Sequence, residues 1–180
     1  MNLIETFQDL VAQVPELVQP LIVALAGAIP FIEGEGAVSI GIIGGIPPVV
    51  AAIAAIVGNF LCVLVVVLVS SGARQAVVNR SRAKAVALAG GGTTEEGAVG
   101  TADTAPSTPR REKFQRAFER YGVPGVSLLG PLLLPTQFTA TMLAASGVGK
   151  ARILFWQALA IIGWTTIVAV IVGSAVYAIR

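Results

Sequence analysis

Residues 49–71, "VVAAIAAIVGNFLCVLVVVLVSS", carry no charged side chain from end to end. A run of this length and purity matches one helix crossing the hydrocarbon of a bilayer, which takes about 20 apolar residues. Residues 153–179 form a second such run, containing Trp156, Gln157, Gly163 and Trp164 but no charge. The composition agrees: only 12% of residues are charged, against roughly a quarter in a soluble domain. The sequence therefore predicts an all-α integral membrane protein.

Each clean span follows an apolar segment of a different kind. Residues 17–46 are interrupted by Pro20, Gly27, Pro30, the acidic "EGEG" and Gly44-Gly45; residues 123–149 are interrupted by Gly130, Pro131 and Pro135. Nearly thirty residues exceed what one crossing needs, and proline or glycine falls near the middle of both segments. The chain thus reads as one plan used twice, a broken segment and then a span. The first unit is residues 1–72 and the second residues 122–180.

Between the units the character changes. Arg74, Arg80, Arg82 and Lys84 make residues 73–88 a basic helix suited to an anionic membrane surface, a more economical reading than nucleic-acid binding. Residues 89–109 have no apolar periodicity and read as a disordered linker. An amphipathic helix with Phe114, Phe118 and Tyr121 on one face follows, and another is expected at residues 2–14.

Positive charge decides the topology, because Lys and Arg collect on the cytoplasmic side. If both broken segments are re-entrant hairpins, eleven of the twelve basic residues lie inside and only Arg180 lies outside. If both segments cross, ten remain inside and Lys150 and Arg152 are stranded outside. The hairpin arrangement also accounts for the breaks. One hairpin then enters from each face, giving an inverted repeat whose tips meet near the midplane, as in many secondary transporters. Residues 73–121 would be cytoplasmic and both termini outside.

The tips hold the candidate chemistry. Glu33 and Glu35 stand where no Lys or Arg occurs between Glu16 and Arg74. Acids inside a membrane are costly and usually functional, so a proton- or cation-linked site is expected, in preference to acids merely solvated at the interface. Burial and mutual repulsion each favour their neutral form, and the two would titrate as a unit. Thr136, Gln137, Thr139 and Thr141 occupy the second tip, where they could bond a substrate headgroup or simply satisfy helix carbonyls. Asn59 and Gln157 read as helix–helix hydrogen-bonding residues. Arg120, at the start of the second hairpin, reads first as a positive-inside anchor and second as a phosphate contact. The chain has no His, its single Cys62 lies in an apolar run, and no nucleophile–base pair, nucleotide loop or redox motif is present. An enzyme is a poor reading, and no cofactor or metal is expected.

The stretch "RYGVPGVSLLGPLLLPTQFTATMLAASGV" with "ILFWQALAIIGW" resembles the second half of the DedA (VTT-domain) superfamily. "IPFIEGEGAVSIGI" with its Pro-Pro exit resembles the small multidrug export branch. The resemblance covers residues 17–72 and 112–178. It implies transport across the bacterial inner membrane, with flipping of an anionic lipid carrier such as undecaprenyl phosphate as the type activity. Two departures stand out. Thr136-Gln137 follows Pro135 where DedA-like proteins carry Arg, and Glu35 stands where the export branch has Arg. Glu33 matches the acid expected in that branch.

Two functions are consistent with this sequence: a proton-coupled transporter or lipid flippase, and an accessory subunit packed against a larger membrane complex. The expected partners are membrane lipids and, given the small enclosed volume, a second copy of the chain. A cysteine placed at Thr101 is expected to resist an impermeant thiol reagent in intact cells and to react once the membrane is opened. Ready labelling from outside would overturn the topology.

Overall fold

The computed structural model describes residues 13–88, 121–132 and 134–179, together with Thr6 and Asp9. The N-terminal amphipathic helix, the linker at 89–109, the helix leading to Tyr121 and the candidate Arg120 lie wholly or largely outside the described residues.

The described elements are helices α1 (Gln19–Gly27), α2 (Glu33–Ile43), α3 (Pro48–Leu88), α4 (residues 121–129), a single 3-10 turn (Gly130–Leu132), α5 (Thr136–Ala145) and α6 (Lys150–Ile179). No strand occurs among the described residues. Two short helices and then a long one appear twice in this order. Proline sets most boundaries. Pro20 and Pro48 sit in the first turns of α1 and α3, where a missing N–H removes no intrahelical bond. Pro30 falls in the break between α1 and α2, and Pro135 directly precedes α5. Gly45 and Gly147 take left-handed φ values of +96° and +83°, turning the chain into α3 and α6.

One boundary differs from the sequence reading. The span at 49–71 and the basic helix at 73–88 are a single helix, α3. Gly72 has open space around it and no proline follows, so nothing interrupts the backbone ladder. The basic residues are the far end of the apolar helix rather than a separate element.

Both long helices bury a ridge of every fourth residue. On α3 it is Ala51, Ala55, Asn59, Val63 and Val67; on α6 it is Ile153, Gln157, Ile161, Thr165 and Ala169. Such i, i+4 ridges are the surfaces by which helices interlock. The two helices run antiparallel. Ala51 and Ala55 share a core cluster with Ala169, Val63 and Val67 share another with Ile153 and Ile161, and Gly173 lies against Pro48. The first cluster is completed by α1 and α2 through Val23, Ala26, Val38 and Ile40. The second is completed by α4 and α5 through Val123, Val126, Ala140 and Leu143. Asn59 falls between them. Helices α3 and α6 are long and apolar enough to cross a membrane, and they expose Val57, Leu61, Val65, Ile162, Ile167 and Val170.

Helices α1 and α3 meet backbone to backbone. A Cβ added to Gly27 would stand 2.8 Å from the Ala55 carbonyl oxygen, and one added to Gly58 would stand 1.8 Å from that of Ala24. Small residues that permit such an approach are the usual cement of helices in lipid, where no hydrophobic effect drives association. Gly58→Ala should therefore destabilise the purified protein by about 1–3 kcal/mol, the cost of overpacking. Gly72→Ala, on the same helix in open space, should be neutral or slightly stabilising. Thermal melts in detergent check both.

Candidate functional site

The break between α1 and α2 brings an acid inward. Phe31 and Glu33 both hold left-handed backbone, with φ of +73° and +53°. A non-glycine residue in that region costs on the order of 1–3 kcal/mol and persists where its surroundings impose it. Glu33 opens α2 and is only 6% exposed. The "EGEG" stretch is thus the first turn of a helix; the bend lies before it, at residues 28–32. Acids suit that position because the N-terminal end of a helix is positive. Gly34 lets α2 close on α6: a Cβ there would stand 2.1 Å from Thr165 Oγ1.

The second break supplies the partner. Pro135 has an extended backbone and turns the chain into α5, so Thr136 presents both its N–H and its hydroxyl. The N–H donates to Glu33 Oε1, and Thr136 Oγ1 lies 2.7 Å from the same oxygen. Two residues out from this contact on each side, Phe31 and Phe138 meet with ring centroids 6.1 Å apart. The two breaks therefore touch through a polar pair inside and an aromatic pair outside.

The polar contacts continue inward. Thr136 Oγ1 is 3.2 Å from Asn59 Oδ1 and 3.4 Å from Gln137 Oε1, and Gln137 Nε2 donates to Asn59 Oδ1 at 3.3 Å. Thr139 donates to the Thr136 carbonyl at 2.9 Å and accepts from Gln157 Nε2 at 3.2 Å. Asn59, Thr136, Gln137, Thr139, Gln157 and Thr165 are all buried. Asn59 Nδ2, Gln157 Oε1, Thr165 Oγ1 and Ser127 Oγ have no hydrogen-bond partner although buried. The orphaned atoms on Asn59 and Gln157, which belong to the network, provide sites for water or a substrate group.

Depth follows from helix geometry. Pro48 is level with Gly173 and Arg74 is level with Ala145. At 1.5 Å per residue, Asn59 lies about 16 Å from the first level and about 22 Å from the second. The network occupies the middle of the long-helix pair.

A donor count says what this arrangement can do. Thr136 Oγ1 has one hydrogen and three oxygens within reach, on Glu33, Asn59 and Gln137. With Glu33 ionised, the hydroxyl must donate to the carboxylate, leaving Asn59 Oδ1 and Gln137 Oε1 without it. With Glu33 protonated, the acid can donate to Oγ1, which is freed to donate to Asn59. One proton on Glu33 thus reverses the direction of the chain of bonds.

Of the residues singled out in the sequence, Glu33, Thr136, Gln137 and Thr139 are brought together. Glu35 is half-buried on α2, where its carbonyl accepts from Ser39 Oγ at 2.8 Å, and it stands apart from the Glu33–Thr136 chain. Thr141 donates to the Gln137 carbonyl at 2.7 Å and serves the helix. Asn59 and Gln157 make the helix–helix hydrogen bonds expected of them, both to α5, and through these they join the network. Thr165, Ser127 and Gly34 were not foreseen; Thr165 was recoverable, since it falls on the every-fourth-residue ridge of α6. Among the described residues no group of three or more His, Cys, Asp or Glu could hold a metal ion. Comparison with family models, with curated proteins and with solved structures returns no match for this chain.

Thr136→Val keeps the shape but removes the hydroxyl, leaving buried acceptors unpaired at a cost of about 1–3 kcal/mol. Asn59→Ala should be similarly damaging, and the double variant should lose clearly less than the sum, because the two act in one network. Melting temperatures of the four proteins of this cycle check the coupling; strict additivity would disconnect Asn59 from Thr136.

Proposed function

We propose that this chain is a small DedA-like membrane transporter or lipid flippase of the bacterial inner membrane, coupled to protons through Glu33. In this reading α1–α2 and α4–α5 are re-entrant hairpins entering from opposite faces, α3 and α6 are the spans, and the two units form an inverted repeat. One observation carries it: a buried carboxylate with no basic partner among the described residues, bonded across the two helix breaks to Thr136, midway along an antiparallel pair of long apolar helices. An intramembrane acid placed so is a functional residue by default. The donor count adds a mechanism. Proton binding at Glu33 changes which groups of Thr136 and Asn59 are available, so the contact between the hairpins depends on protonation. Alternating access needs a contact of that kind, made in one state and remade in another.

The substrate class follows only from the resemblance, which points to an amphipathic anion such as a polyprenyl phosphate. The departures at Glu35 and Thr136 matter here. They remove the intramembrane arginines that would pair a phosphate at mid-depth, so the neutral amides and hydroxyls around Glu33 would have to receive the polar group.

A second reading is favoured by the outer surface. An apolar cavity of about 270 Å³ lies between α3 and α6, lined by Ile56, Val57, Phe60, Leu61, Ala158 and Ile162 among others, and it would accept a side chain of a neighbouring helix. On that reading the protein is an accessory subunit and Glu33 is a packing feature.

Glu33→Gln separates the two. Glutamine retains an oxygen that can accept from the Thr136 N–H, so the variant should fold and melt close to the parent. In proteoliposomes it should lose dependence of lipid flipping or uptake on an imposed proton gradient, while Glu35→Gln keeps measurable gradient-driven flux. Full gradient-driven activity in Glu33→Gln would remove the residue from the mechanism.

A further inference from the structure

At the far end of the long-helix pair from Pro48, a cavity of about 310 Å³ opens between α3 and the turn from α5 to α6. One face of α3 supplies Ser71, Arg74, Gln75, Asn79 and Arg82, and Lys150 stands opposite at the start of α6. No acidic residue lines it among the described residues. Arg74 is held in place: its Nε donates to the Ala145 carbonyl at 3.0 Å, and its guanidinium lies over Gly147. A Cβ at Gly147 would stand 2.6 Å from Nη2, so the glycine is what allows the guanidinium to lie there. At the inner side of the cavity Ser71 Oγ is buried without a hydrogen-bond partner. The 30-residue helix α6 begins at the same place, at Lys150, which brings the positive end of its dipole beside the cavity.

These features match one chemistry. Three cations with no counter-charge among the described residues, one of them a positioned guanidinium, an unpartnered hydroxyl and the side-chain amides of Gln75 and Asn79 form a donor set for a tetrahedral, multiply charged oxyanion. The size is in the range of small-ligand sites. Depth restricts the ligand further. Ser71 lies about 35 Å along α3 from Pro48 at 1.5 Å per residue, a little more than the ~30 Å hydrocarbon core. With Pro48 at one edge of the hydrocarbon, the cavity would come level with the headgroups of the opposite leaflet. We propose that it binds a phosphate group, presented by a phospholipid headgroup or by free phosphate, at a site separate from the network around Glu33. It does not rest on the transport reading.

The test uses the full-length protein purified in detergent. Dihexanoyl phosphatidic acid, dihexanoyl phosphatidylcholine and inorganic phosphate are titrated separately and followed by ³¹P NMR. Saturable binding of phosphatidic acid alone identifies the lipid source, and equal binding of inorganic phosphate identifies the free anion; either supports the site. Lys150→Gln and Arg82→Gln lie at the exposed rim and leave the Arg74–Ala145 bond intact, so the fold should survive them. Each should weaken binding at least about tenfold. Arg80→Gln removes a charge from the same helix outside the cavity and should change binding less than about twofold. Absence of saturable binding by any of the three ligands would overturn the proposal. So would an Arg80→Gln loss equal to that of Arg82→Gln, because a diffuse basic surface would then account for the binding.

Discussion

An acid kept out of water with no base beside it among the described residues is the constraint around which this structure is arranged. Moving a carboxylate into a low-dielectric interior is costly unless it is neutralised or well bonded. Here the compensation is entirely neutral: the N–H and hydroxyl of Thr136, with Asn59 and Gln137 behind them. A salt bridge would hold Glu33 permanently charged. Neutral donors and acceptors hold it in either state, and the two states differ in the direction of their hydrogen bonds.

The surrounding packing serves that placement. Left-handed backbone at Phe31 and Glu33 turns the acid inward, Gly34 lets α2 approach Thr165, and Pro135 ends the preceding segment so that Thr136 begins a helix with its N–H unused. Above and below the polar layer, two apolar clusters hold α3 and α6 in register through their every-fourth-residue ridges. The polar residues Asn59, Gln157 and Thr165 interrupt those ridges.

Much of this was legible in the sequence. Charge-free runs marked the two long helices, proline and glycine marked the breaks before them, and the isolation of Glu33 and Glu35 marked the candidate site. The rest turned on three-dimensional facts. Which acid of "EGEG" faces inward depends on a left-handed residue that no propensity favours at Glu. The continuation of α3 beyond Ser71 was hidden by a change from apolar to basic composition, which alters the helix's surroundings and not its backbone. Thr165 could be read from its place on the ridge of α6, but its approach to Gly34 could not, and Ser127 looked like an ordinary small polar residue.

The seam between α1 and α3 differs in kind from the seam between α5 and α6. The first brings main chain against main chain at Gly27 and Gly58, and the side chains beside them, such as Ala26 and Ala55, are small. The second passes through Leu143, Ile153 and Ile161, whose rotamers can readjust. A bilayer thicker or thinner than the apolar span exerts a load that a membrane protein relieves by tilting its helices. That load would be taken up on the pliant side, tilting α5 while Glu33 stays with the stiff half. Membrane thickness would then act directly on the distance between Thr136 and the carboxylate.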